Sequence, residues 1–498
     1  MGIIQRDAFR TMIISYLGLI LGYLNKGVLF VIILSTDQIG LINLLISIGL
    51  LFAQFASLGV VNTTWKFFPY FRNEERSNYG FLKLVVVIAL IGSVLAALMA
   101  VIFGDSITSF YKENSTEFIK YYYWIIPIGI ANVFYLLFEN YLRGLYKNVF
   151  PAFVYEILLR LIVTGLLFAL YFHWISFEQF LIGNSLSFTV PLILLFAYLI
   201  RLGEIKSFKA KIQVPKRFKS IIVKYGLFSY TNSLGAMVVT TLDIAMIASM
   251  IGLSGAGVYS TVIYLTSALQ VPYRSIIRVS VPFVSLYWKE KRMDEMNTLY
   301  RDVSTMSLII GGYLFAVVWA NRIELFSFLP DEFEAGIMVF LFLMIGKLFD
   351  MYMGINSMIL NTSKKYRIDI LFTFILIILT GLLNYLLIPI YGISGAAIST
   401  MLALVVYNLL RLMYVWYHYK IHPFQPNQFV VIGLIGCVIA IGEGMPNLTE
   451  HVFGNLFIKS AVITMGFGIL MILFKVEPKL NNYLNKMLKI VKPISQKP

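Results

Sequence analysis

The chain is poor in the residues on which most soluble chemistry depends. It has one cysteine, Cys437, within an apolar run, which excludes an intramolecular disulfide and a thiolate metal site. The four histidines, His173, His418, His422 and His451, fall at the ends of apolar runs or between them. There is no H-E-x-x-H, Walker A or G-x-S-x-G motif, so direct use of ATP through a P-loop is excluded, and the expectation is a protein that is not an enzyme and needs no cofactor. Charge is also scarce: 13% of the 498 residues are Asp, Glu, Lys or Arg, where a soluble chain carries about 25%. Without a signal-type cleavage site after MGIIQRDAFR, the N-terminal apolar run is expected to remain as a first membrane helix.

What is present is apolar sequence in long runs. Hydrophobic residues make up 59% of the chain and the mean hydropathy is +0.81. A bilayer takes about 20 apolar residues per helical span. Fourteen spans are expected, at roughly 11–34, 38–63, 80–103, 121–143, 150–172, 177–200, 222–250, 254–286, 304–328, 334–360, 368–389, 392–417, 428–447 and 454–474. The fold class is therefore all-α integral membrane. Short polar or Pro/Gly-marked connections join the spans, such as Ser-Thr-Asp-Gln at 35–38 and Gly-Leu-Ser-Gly at 252–255.

The net charge of +15 sits between the spans rather than on a face, which argues against a nucleic-acid partner. Alternate connections and the termini hold 29 lysines and arginines on one side and three, Lys112, Lys120 and Arg322, on the other. By the positive-inside rule both termini are cytoplasmic. The most basic connection carries Lys206, Lys209, Lys211, Lys216, Arg217 and Lys219, a composition suited to anionic lipid heads.

That connection separates two similar halves. TDQIGLINLLISIG (36–49) is echoed by LSGAGVYSTVIYLT (253–266), with Gly40 matching Gly257 at a shift of about 217. KFFP (66–69) corresponds to VSVP (279–282), and YLRGLYK (141–147) to ILNTSKK (359–365). Six spans per repeat place both repeats in the bilayer with the same orientation, so their pseudo-axis lies along the membrane normal and the expected site lies between them. The expected domains are an N-terminal six-helix bundle (1–200), a basic cytoplasmic linker (201–221), a C-terminal six-helix bundle (222–420), and two extra helices with a basic tail (421–498).

Three stretches carry a family resemblance. DQIGLINLLISIGLLFAQFASLGVVNTTWKFFP (37–69) resembles the second span of bacterial polysaccharide-unit flippases of the O-antigen type. LDIAMIASMIGLSGAGVYS (242–260) and NYLLIPIYGISGAAIST (384–400) are similar to their span 7–8 and span 11–12 junctions. These flippases share a superfamily with the lipid II flippase and the MATE drug exporters. The resemblance implies two pseudo-symmetric six-helix bundles with alternating access. It implies transport of an undecaprenyl-diphosphate-linked oligosaccharide across the bacterial inner membrane for surface polysaccharide, with membrane lipids and a polysaccharide polymerase as further partners. A MATE-type cation-coupled multidrug antiporter is the alternative.

Charges inside the spans mark candidate sites, because an unpaired charge at mid-membrane costs at least about 2.5 kcal/mol. Lys26 lies about 22 Å into its span at ~1.5 Å per residue, and Asp243 is at a similar height in the repeat-equivalent span. Either Lys26 faces a substrate phosphate and Asp243 a counter-ion, or the two charges serve as helix pairs or snorkel. Arg274 and Arg278 share one helix face and suit a diphosphate, since arginine binds phosphate oxygens in bidentate fashion. Ordinary cytoplasmic-end arginines are the competing reading. Lys347 and Asp350, three residues apart, either pair or take part in gating or ion coupling. Glu139 with Arg143 and Glu156 with Arg160 are spaced for i,i+4 pairs. Gly18 and Gly22 form a G-x-x-x-G suited to close helix packing.

Overall fold

The computed structural model describes residues 3–73, 75–213, 216–446, 449–474 and 476. The expected basic tail at 475–498 lies almost wholly outside them, as do the side chains of Lys216, Arg217 and Lys219. Among the described residues every regular element is helical. Twelve helices among the described residues are long and apolar enough to cross a membrane, and a thirteenth span is counted if the bent pair Gly336–Tyr352 and Asn356–Thr362 is one crossing.

The eighth expected span, 254–286, does not meet that standard. It is helical as Leu253–Ser267 and Val271–Glu290, joined by a 3-10 turn at Ala268–Gln270. The break precedes Pro272, and Arg274 and Arg278 dilute the apolar run that follows. The second span is also shorter than expected. Thr36–Ser57 ends at Leu58 and Gly59, both left-handed with φ 43° and 76°, and a separate helix runs over Val60–Phe71.

Local chemistry explains the helix ends. The Ser35 hydroxyl accepts from the Gln38 backbone N–H, and the Gln38 side chain accepts from the Ser35 N–H. This reciprocal capping box satisfies two orphan donors at the start of the second span. Ser176 and Gln179 cap the sixth span, Phe177–Arg201, in the same way.

The chain divides into two compact units, Met1–Leu265 with Ile377–Ala396, and Thr266–Leu376 with Ala397–Pro498. In the first unit the second span crosses the fourth, Thr116–Gly144, at two glycines. A Cβ on Gly49 would lie 2.7 Å from the Ile128 side chain, and one on Gly129 would strike Phe52. With no hydrophobic force between helices in lipid, such close backbone approach is what packing supplies.

The related segments of the two repeats also meet inside this unit. A Cβ at Gly40 would collide with the Leu253 carbonyl, and one at Gly257 with the Thr36 carbonyl. The Thr36 and Ser254 hydroxyls are 2.9 Å apart, and Asn43 donates to Ser260 at 3.0 Å, 217 residues away. The contact is thus reciprocal at the shift read from the repeat.

Candidate functional site

Two neighbouring spans of the first unit open into π turns at their charged residues. The first span, Phe9–Ile33, does so at Leu24–Leu29, around Lys26. The fifth, Val149–Tyr171, does so at Val154–Leu158, around Glu156. A π turn inside an α-helix leaves unmet backbone bonding and is frequent at functional sites.

Polar side chains stitch the two spans together here. Buried Asn25 donates to the Arg160 carbonyl at 2.9 Å and accepts from Thr164 at 2.8 Å. Gly18 packs against Glu156, and Gly22 against the Tyr264 hydroxyl and the Arg160 guanidinium, where a Cβ would lie 3.1 Å from Nη1. The G-x-x-x-G of the first span therefore clears room for a charged partner rather than for an apolar one.

Lys26 is half-buried and donates to Asn43 Oδ1 at 3.1 Å. Its ammonium lies 5.8 Å from the Tyr264 ring centroid, within range of a cation–π attraction. Arg160 sets one face of its guanidinium on Glu156 at 2.7 Å. Its Nη1 is buried and has no hydrogen-bond partner among the described residues. The cluster therefore offers an ammonium and one uncommitted guanidinium donor.

Asp243 is 5% exposed. It accepts from the Tyr259 hydroxyl at 2.7 Å and from Asn384 Nδ2 at 2.8 Å. The Asn384 side-chain oxygen is buried and has no hydrogen-bond partner among the described residues. Glu139 and Arg143 approach to 2.9 Å on the fourth span.

The other expected residues belong to the second unit. Arg274 and Arg278 are exposed and make no ion pair among the described residues. Arg274 is close enough to Lys347 for the two cations to repel. Lys347 donates to Thr266 at 2.7 Å, and Asp350 accepts from Asn408 at 2.9 Å.

Sequence reasoning passed over several polar groups. Asn43 links Lys26 to Ser260, and Arg160, paired with Glu156, is also near enough to Lys26 for the two cations to repel. Asp369 and Arg411 form a buried bidentate pair at 2.7 and 3.0 Å, and Lys459 pairs with Glu324. The available signal was a lone polar residue within an apolar run.

The profile of the polysaccharide biosynthesis protein family matches residues 4–288. The chain belongs to that family. An uncharacterized membrane protein of Methanocaldococcus jannaschii is 23% identical over 451 residues, 87% of each chain. A probable low-salt glycan biosynthesis flippase of Haloferax volcanii, Agl15, is 24% identical over 195 residues, 39% of this chain and 41% of that one. The inward closed conformation of the lipid II flippase MurJ matches at a TM-score of 0.71 with 15% identity, covering 93% of this chain and 98% of that one. A MATE family multidrug transporter, inward-facing, shares the fold at a TM-score of 0.61, 14% identity and 81% and 94% coverage. This family member thus has the fold common to MurJ and MATE transporters.

Proposed function

We propose that this protein moves a lipid-diphosphate-linked oligosaccharide from one leaflet to the other for the assembly of a surface polysaccharide. The observation that carries the reading is the Lys26–Arg160 cluster, an ammonium and an orphan guanidinium donor held inside the span region of a polysaccharide biosynthesis family member. Phosphate oxygens are the natural partners of such donors. The names of the Haloferax flippase and of MurJ agree with this direction.

In this reading Lys26, in the six-helix bundle 1–200, and Arg274 and Arg278, in the bundle 222–420 beyond the linker 201–221, are the cations offered to the substrate. The diphosphate rests on the cations, the sugar stays in water, and the tail remains in lipid. Asp243, with Tyr259, Asn384 and the spare Asn384 oxygen, takes the coupling cation. Lys347 and Asp350 serve gating. The chain is a transporter without catalytic residues and sits in a bacterial inner membrane with both termini cytoplasmic, where a polymerase consumes the product. The carrier is undecaprenyl diphosphate.

A multidrug antiporter would have the same fold, but the family match and the cationic cluster favour an anionic headgroup. The test is Lys26→Ala and Arg274→Ala, singly, with surface polysaccharide measured at equal protein level. A loss of about tenfold is expected for Lys26→Ala, the effect of roughly 1.4 kcal/mol. Full export by both variants would remove the cation claim.

A further inference from the structure

We propose that a pocket at the N-terminal end of the first span binds the phosphate of an anionic membrane lipid, at a site separate from the Lys26 cluster. The cavity, about 580 Å³, lies within the first unit and has Arg6, Asp7, Arg10, Tyr146, Lys147 and Tyr198 around its polar part. That volume is within the range of small-molecule sites, roughly 300–1,000 Å³.

The charge balance is cationic. Arg10 is partly offset by Asp7 at 3.8 Å. Arg6 and Lys147 make no ion pair among the described residues. Three cations against one carboxylate leave a site that attracts an anion, and the two uncommitted ones remain available to phosphate oxygens.

The rim is built with some strain. Tyr146, two residues past the end of the fourth span, has φ 60°, a left-handed position where glycine is the unstrained residue and a tyrosine costs on the order of 1 kcal/mol. The Lys147 backbone N–H closes the helix end on the Leu142 carbonyl at 2.9 Å. The Tyr146 ring thereby meets the Arg72 guanidinium 5.0 Å away.

The other walls are apolar and distinguish a lipid from a soluble anion. Ile14, Val149, Phe150 and Phe153 complete the pocket. From it an exposed apolar stripe runs along the first span through Phe9, Ile13, Leu17, Ile20 and Leu24. Their spacing of three and four residues keeps them on one helix face. A ligand with a phosphate head and a hydrocarbon tail matches both parts, the head in the pocket and the tail on the stripe.

Two lipid sources share this chemistry: bulk anionic phospholipid and the polyprenyl diphosphate carrier. The experiment is native mass spectrometry of the full-length, delipidated protein titrated separately with phosphatidylglycerol, phosphatidylcholine and undecaprenyl diphosphate. Retention of phosphatidylglycerol or the diphosphate at lower concentration than phosphatidylcholine is expected. Arg6→Gln with Lys147→Gln should weaken that retention by about fivefold or more, while Asp7→Asn should strengthen it and Lys112→Gln should leave it unchanged. A gain from Asp7→Asn cannot come from misfolding, so the opposite signs guard against an unstable variant. A preference for the diphosphate over phosphatidylglycerol would assign the pocket to the substrate carrier, and equal retention to bulk anionic lipid; both support the site. Equal retention of phosphatidylcholine, or binding untouched by the double substitution, would overturn it. Because the readout is lipid retention, the outcome does not depend on whether a glycolipid is flipped.

Discussion

One site in each of the two units shows two different treatments of intramembrane charge. In the second, Arg411 grips Asp369 through two hydrogen bonds, and both side chains are almost fully buried. The Arg411 guanidinium also covers the Tyr407 ring at 3.8 Å. In the first, Lys26 rests on a neutral asparagine and Arg160 keeps a buried Nη1 unbonded. A closed pair has no capacity left for a ligand, whereas an open one has. The same residue types thus serve as a fastening in one place and as a receptor in the other, and the hydrogen-bond inventory separates the two.

The largest expected effect lies on the closed side. Arg411→Met leaves a buried carboxylate uncompensated and should cost about 3–5 kcal/mol, with much of it restored by adding Asp369→Leu. Thermal unfolding in detergent measures both. If the single variant melted like the wild type, the distinction between fastening and receptor would fail. On the open side Arg160→Lys keeps the charge but loses the fork that holds Glu156 while presenting Nη1. Export should fall by about tenfold, or roughly 1.4 kcal/mol, while the melting temperature moves little.

A smaller effect sharpens the open side. Asn43→Ala removes the acceptor of Lys26 and the donor to Ser260, worth about 1–2 kcal/mol in stability. Export should fall less than for Lys26→Ala, since the ammonium remains. An Asn43→Ala loss equal to that of Lys26→Ala would mean that position rather than charge is what matters.

The smallest effect lies outside the membrane. His422, in the connection between Tyr419 and Pro426, faces Arg301 at 3.0 Å. Burial and then the Arg301 charge hold its pKa below the ordinary 6.5. A base with a lowered folded pKa contributes stability above its unfolded value and loses it as the pH falls through the folded one. The protein should therefore become slightly less stable as the pH drops below about 6.5, and His422→Gln should flatten that slope in melting curves taken across pH.

The fold was more legible than the site, for physical reasons. Span positions follow from hydropathy summed over about 20 residues, and the Ser35–Gln38 cap follows from local chemistry. The 217-residue shift read from Gly40 and Gly257 reappears as a contact, because a repeat duplicates its packing surface with its sequence. The Leu58–Gly59 break was missed because apolar residues continue on both sides of it. The π turns carry no compositional mark. Asp369 and Arg411 lie 42 residues apart on different helices, so spacing along one helix face could not pair them, whereas it could align Glu156 with Arg160.

The mutual clash barrier at Gly40 and Gly257 has a genetic consequence. Each position is barred from carrying a methyl group by a carbonyl of the opposite segment, so a change at one is not relieved by a smaller residue at the other. Both sites already hold the smallest residue there is, and a second-site suppressor of Gly40→Ala must move the main chain itself. Such suppressors should map to the helix beginnings around residues 35–36 and 252–253, where a turn can be re-cut, and not to the surrounding side chains.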